Sequence, residues 1–174
     1  MTSSGSTFKC ESCGATYSYN EDGTITRLDG ESKFTKVSDW YYWEKECVRK
    51  EVEEGTFSFE DDVRMEHLEG TGVGFVPMEG NYHLTMNIND GIVVSGTNNF
   101  RYERSSLQSY AIHIEYDYKN RGACIDLCTS EDTWFAYPLN RAKLITKIHF
   151  AAEVIYDYLK EKLREDENSN SPVL

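Results

Sequence analysis

Between Phe57 and Tyr137 the chain runs as short stretches of alternating or β-rich residues parted by glycine and asparagine, and no other feature restricts its fold as strongly. The stretches cover 57–67, 72–78, 81–88, 91–95, 98–104, 108–118, 123–129 and 133–137. Turn residues lie between them at Glu79-Gly80, Asp90-Gly91 and Asn120-Arg121-Gly122. Alternation places every second side chain on one sheet face, and connections this short join neighbours in antiparallel fashion. An antiparallel meander, closed as two layers or as a barrel, is the expectation.

After Pro138 the period changes. With Asn140 as cap, Leu144, Ile148, Ala152, Ile155 and Leu159 recur at spacings of three and four, the stripe of an amphipathic helix. A second helix is expected earlier, over 39–54, with Ser38 as N-cap and Gly55 as the C′ stop. Trp40, Trp43 and Cys47 share one face of it. Upstream, 15–19 and 24–28 read as two strands of a hairpin turned by Asp22-Gly23 in type I′ geometry.

The expected fold is therefore α+β: a mostly antiparallel β meander closed by a C-terminal amphipathic helix, preceded by a hairpin and a linking helix. This order of elements resembles pleckstrin-homology-like (PH-like) folds, a likeness of fold that implies no function. The expected organisation is a leader and zinc-ribbon-like hairpin over 1–37, a linking helix over 38–55, a PH-like body over 56–164 and a disordered tail over 165–174.

Composition excludes several function classes. Thirty acidic residues against 18 Lys and Arg leave a net charge of −12, spread along the chain, whereas binding to nucleic acid or an anionic bilayer needs a concentrated basic surface. No apolar run reaches the roughly 18 residues of a membrane span. The leader Thr2-Ser3-Ser4-Gly5-Ser6-Thr7 lacks the basic and apolar regions of a secretion signal. Five cysteines at irregular spacing then point to a reducing compartment and place the protein in the cytoplasm.

Cys10-Glu11-Ser12-Cys13-Gly14 is the strongest chemical motif. A C-x-x-C-G knuckle lets two thiolates converge on one tetrahedral ion, with glycine permitting the tight turn. Structural zinc takes four ligands, and no second C-x-x-C follows, so Cys10 and Cys13 form half a site. The missing pair would lie upstream in a longer chain or in a second copy of this one; a metal-free turn is the third alternative. Cys124 and Cys128 lie four apart on one strand face, about 13 Å along it, too far for one ion, and read as core thiols.

Gly70-Thr71-Gly72-Val73-Gly74 is followed by Phe75-Val76-Pro77, so no helix N-terminus is there to hold a phosphate. His113, Glu115 and Asp117 share one face of the 108–118 stretch and could form an acid–base row, with Tyr110, Ile112, Ile114, Tyr116 and Tyr118 turned inward. The plainer interpretation is the solvent face of an amphipathic strand. Glu60-Asp61-Asp62 and 51–54 lack the spacing of a calcium loop and read as solvated charge. No catalytic motif is present, and no catalytic or cofactor-binding residue is assigned.

The run Ser38-Asp39-Trp40-Tyr41-Tyr42-Trp43-Glu44, with the later Phe57-Ser58-Phe59-Glu60-Asp61-Asp62-Val63, resembles the region that follows the catalytic domain in clostridial 1-acyl-glycerol-3-phosphate acyltransferases. In that family a cysteine knuckle precedes a Trp-rich helix and a β-rich tail, so the resemblance covers nearly the whole chain. The acyltransferase H-x4-D signature is absent, because His113 is followed by Glu115 and Asp117; no catalytic residue carries over. The resemblance implies that the missing cysteine pair lies upstream.

Three functions follow as expectations. The first is a non-catalytic accessory or binding region of a lysophospholipid acyltransferase-like protein, with a parent catalytic domain or another protein as partner. A free-standing PH-like module binding a peptide or lipid is the second, and an enzyme centred on His113 the third. A homodimer sharing one zinc across two half-sites is compatible with the first two.

Overall fold

A computed structural model describes residues 2–11, 13–70 and 74–169. The chain divides into two compact units, 1–47 and 48–174.

The first unit is a four-stranded antiparallel sheet, β1 (Thr2–Ser4), β2 (Thr7–Lys9), β3 (Thr16–Tyr19) and β4 (Ile25–Arg27), in sequence order, followed by the start of helix α1 (Val37–Glu53). Its core is small: Ala15, Tyr17 and Ile25 are buried, with Phe8, Phe34 and Trp40 packed on them. Trp40 is the hub, its ring 5.0 Å from Tyr17, 5.6 Å from Phe34 and 6.0 Å from Phe8. Trp43 shares the Phe34 contact at 5.5 Å, as its position one turn further on requires. The β3–β4 hairpin departs from the expected type I′ turn. Asp22 stays at negative φ and only Gly23 is left-handed (φ 82°). The N–H of Gly23 donates to the Asn20 carbonyl at 3.0 Å and that of Asn20 to Thr24 at 2.9 Å, which is a three-residue loop with a terminal αL glycine.

The second unit is a seven-stranded antiparallel sheet, curled into a half-barrel, with a long helix on it. Its strands are β5 (Ser58–Leu68), β6 (Phe75–Asn87), β7 (Gly91–Gly96), β8 (Phe100–Arg104), β9 (His113–Glu115), β10 (Cys124–Cys128) and β11 (Thr133–Pro138), in spatial order β8-β7-β6-β5-β11-β10-β9. Helix α2 (Ile145–Ser169) follows. Leu84, Met86, Ile92, Val94, Ile125 and Leu127 from the strands meet Ile148, Ala151, Val154 and Ile155 of α2, all fully buried. Each of the larger ones contributes about 2 kcal/mol by leaving water. Curling brings edge strand β8 across to β10 and β11 through side chains: Tyr102 and Arg104 of β8 donate to the carbonyl of Cys128 at the end of β10, and Trp134 of β11 packs edge-on against Phe100 and Tyr102.

Helix α1 starts two residues before the expected point and ends where Gly55 dictates. Gly55 is left-handed (φ 68°), its N–H donates to Val52 O (3.1 Å) and that of Thr56 to Glu51 O (2.8 Å), the paired bonds of a Schellman cap. No helix among the described residues is long and apolar enough to cross a membrane.

Four local expectations are corrected. Glu79-Gly80 is not a turn between two strands. It is a bulge inside β6, where the register to β5 steps from Val63↔Tyr82 to Met65↔Met78, and Asn81 is held by the Thr97 hydroxyl at 2.9 Å. The 108–118 stretch contains only three strand residues. Ser106–Ala111 form a 3₁₀ turn instead, because the Ser109 hydroxyl donates to Ala152 O of α2 at 2.7 Å and ties this segment to the helix. Ile112 and Ile114 point inward as expected, but Tyr110 and Tyr116 are 60% and 52% exposed; the Tyr118 side chain lies outside the described ones. Asn140 does not cap α2, which begins only at Ile145. Its side-chain amide donates to Asp61, and Leu144 is exposed rather than part of the buried stripe. Finally, 165–169 continue α2, while 170–174 lie outside the described residues.

Candidate functional site

Cys10 and Cys13 occupy the β2–β3 turn. The Cys10 N–H donates to Ala15 O, and the N–H of left-handed Gly14 (φ 75°) donates back to Cys10 O, both at 2.8 Å. A tight turn closed by a left-handed glycine is the backbone form a knuckle needs. Cys13 is exposed and Cys10 half-buried, and none of the five cysteines is in a disulfide; Ser12 lies outside the described residues. Among the described residues no third ligand atom gathers with these two, and all four histidines belong to the second unit. The donor set fits half of a tetrahedral zinc site.

The first unit holds a mainly apolar groove of about 410 Å³, lined by Phe8, Tyr19, Val37, Trp40, Tyr41 and Glu44 together with small residues of the 3–7 segment. Burial pushes the Glu44 carboxyl above its usual range, and a hydrogen bond from the Trp40 side chain opposes that only in part.

The structure brings together two of the three members of the expected acid–base row and replaces the third. His113 and Glu115 share a face of β9, with Nδ1 3.6 Å from Glu115 Oε1. Asp117 leaves that face to accept the N–H of Gly122, closing the β9–β10 loop. Its place is taken by Asp126, directly opposite His113 on β10, with Oδ2 3.2 Å from Nδ1. These are the only three His, Cys, Asp or Glu side chains among the described residues whose ligand atoms all lie within 4.8 Å of one another. His113 is 70% exposed and Asp126 14%. Burial, then the charge of Glu115, holds the Asp126 carboxyl above its usual range, against the hydrogen bond from His113. Behind it the buried Cys124 thiol donates to Asp126 Oδ1 at 3.7 Å; burial and the neighbouring carboxylates push this thiol up to about 12, so it stays protonated. A cavity of about 220 Å³ adjoins His113, with Tyr110 and Ile114 on one side and His149 and Glu153 of α2 on the other.

The same sheet face carries a second polar cluster. Glu66 of β5 is 2% exposed and accepts bonds from Arg121 (Nε, 3.0 Å), Tyr137 (2.9 Å) and Arg64. Arg121 reaches it from the β9–β10 loop and lies over the Phe75 ring as well. No local pattern announces this cluster, since Arg121 and Tyr137 lie 55 and 71 positions from Glu66 and meet it only through strand order.

The remaining candidates are structural. Cys128 is half-buried, and Cys47 is half-buried on α1. His67 pairs with Asp132 at 2.8 Å, His83 with its cross-strand neighbour Asp62 at 2.9 Å, and His149 with Glu153 at 3.6 Å. Asp61, expected to be solvated, is 5% exposed and accepts the N–H groups of Asn140 and Arg141, fixing the approach to α2. Residues 71–73 of the glycine-rich run lie outside the described residues.

The chain matches no protein-family model, no curated protein and no solved structure.

Proposed function

We infer that this chain is a non-catalytic accessory module of a lysophospholipid acyltransferase-like protein, acting in phospholipid biosynthesis in the cytoplasm, and that it holds a protein partner in the groove of its first unit. The groove carries this reading: aromatic walls supply large, rigid contact area, and Glu44, short of water, suits one basic side chain on an otherwise apolar segment. The parent catalytic domain is the proposed partner. The turn at Cys10 and Cys13 supports a half zinc-ribbon, completed by an upstream pair or by a second copy of the chain. The curled sheet with its terminal helix supports a PH-like body for the second unit.

The gene and a binding measurement test this together. An H-x4-D acyltransferase domain encoded upstream in the same reading frame supports the family assignment, and a chain with its own start and no such neighbour overturns it. The separately expressed catalytic domain should bind the purified chain, and Tyr19→Ser with Tyr41→Ser should weaken binding about tenfold or more. Unchanged binding would remove the groove from the account.

A second reading, a free-standing PH-like module for a peptide or lipid, is favoured by the cavity between β9 and α2. A peptide or vesicle-bound lipid protecting Tyr110 and His149 in solution spectra, in a protein with no acyltransferase neighbour, would select it.

A further inference from the structure

We propose that His113, Glu115 and Asp126 form a binding site for one divalent transition-metal ion of the zinc type, on the β9–β10 ribbon of the second unit and independent of Cys10 and Cys13. The argument begins with the distances. A tetrahedral ion with bonds of about 2.1 Å to nitrogen and oxygen holds its ligand atoms about 3.4 Å apart. Nδ1 of His113 lies 3.2 Å from Asp126 Oδ2 and 3.6 Å from Glu115 Oε1, on either side of that value.

Hydrogen bonding alone does not explain the arrangement. Nδ1 of a histidine carries at most one proton, so it satisfies one of the two carboxylates that converge on it and leaves the other facing a like charge. Among the described residues, the ion pairs of Glu115 and Asp126 are with His113 alone. Asp126 is also largely removed from water. A buried acid beside a second acid is a costly arrangement that a dication relieves and a single imidazole proton does not.

The surroundings have the form of a metal site's outer shell. Cross-strand pairing of His113 with Asp126 fixes two ligands on hydrogen-bonded backbone, and Glu115 follows two residues along the same face. The Cys124 thiol engages Oδ1 of Asp126 and so leaves Oδ2 turned toward His113. One nitrogen and two oxygen donors suit zinc or its neighbours, whereas calcium takes six to eight oxygens. The exposed imidazole gives the ion an entry path, and three protein ligands leave a fourth position for water or a small donor ligand.

The test uses the whole chain carrying Cys10→Ser and Cys13→Ser, stripped of metal and titrated with Zn²⁺ in competition with a chromophoric chelator. One zinc per chain is expected to remain bound in this background. Adding His113→Ala, an exposed position whose loss leaves the core intact, should weaken binding by on the order of tenfold or more, since even outer-shell losses cost 10–100-fold. Asp126→Asn should do the same with an unchanged circular dichroism spectrum. Absence of zinc in the double-serine chain, or equal affinity with and without His113, would overturn the site.

Discussion

Glu66 is a carboxylate on the outer face of β5, where alternation alone would leave it in water; instead, Arg121 folds over it from a loop far along the chain. Burial pushes its pKa up, but the bonds from Arg121, Tyr137 and Arg64 outweigh that and hold it below the ordinary 4.5. Asp61 is likewise pushed up by burial and held below 3.8 by its bonds from Asn140 and Arg141. Because both native values are lowered, their contribution to stability is complete above the ordinary values and is lost as pH falls through the lower native ones. Glu66→Gln should cost about 2 kcal/mol at neutral pH, less than a fully buried pair because both arginines can return to water. It should also flatten the acid limb of Tm against pH; an acid limb identical to wild type would contradict the linkage. Asp61→Ala, which takes the carboxylate from two backbone N–H groups and the Asn140 amide, should cost a similar ~2 kcal/mol in urea unfolding. Neither residue stands out in sequence, since Glu60-Asp61-Asp62 is an acidic run like many solvated ones.

At the scale of elements, turn residues were legible but their geometry was not. Gly55, the expected helix stop, and Gly91, in the expected Asp90-Gly91 turn, are both left-handed (φ 68° and 75°), yet their surroundings differ. A Cβ on Gly55 meets open space, while one on Gly91 overlaps the carbonyl of Arg104 on β8 and the backbone of Ser105 and Ser106. Gly55→Ala should therefore cost about 1 kcal/mol from backbone conformation alone. Gly91→Ala should cost a further ~2 kcal/mol, because backbone must move to admit it. Equal losses in urea unfolding would show that β8 yields freely. The bulge at Gly80 belongs to the same class: glycine after glutamate signals a departure from regular strand, and whether that departure is a turn or a bulge depends on the partner strand. The 108–118 stretch fails for a related reason. Its alternation is real at Ile112 and Ile114, but Ser109 finds a helix carbonyl, and that tertiary bond displaces strand pairing.

For the molecule as a whole, the two units differ in what holds them. Among the described residues the first has a core of Ala15, Tyr17 and Ile25, whereas the second has a core of strands from both halves of its sheet and a long helix. Small units rarely stand on their hydrophobic core alone and gain from a metal staple. Amides of β2–β4 should then exchange with solvent sooner than those of β5–β7, and Zn²⁺ should slow the former in wild type but not in Cys10→Ser with Cys13→Ser. Uniform protection across both units would contradict this.

The sequence by itself determined the class of fold and the order of its elements: an antiparallel meander, a preceding helix stopped by Gly55 and a terminal amphipathic helix. These follow from local periodicity and turn chemistry, which act over a few residues. It also marked Cys10 and Cys13 as half of a metal site, and His113, Glu115 and Asp117 as an acid–base row. Only the tertiary structure decided that Asp126 rather than Asp117 stands beside His113, because cross-strand register sets that neighbour and no spacing along one strand encodes it. The same holds for the buried Glu66 cluster and for the groove around Trp40, whose walls come from strands and helix brought together by packing.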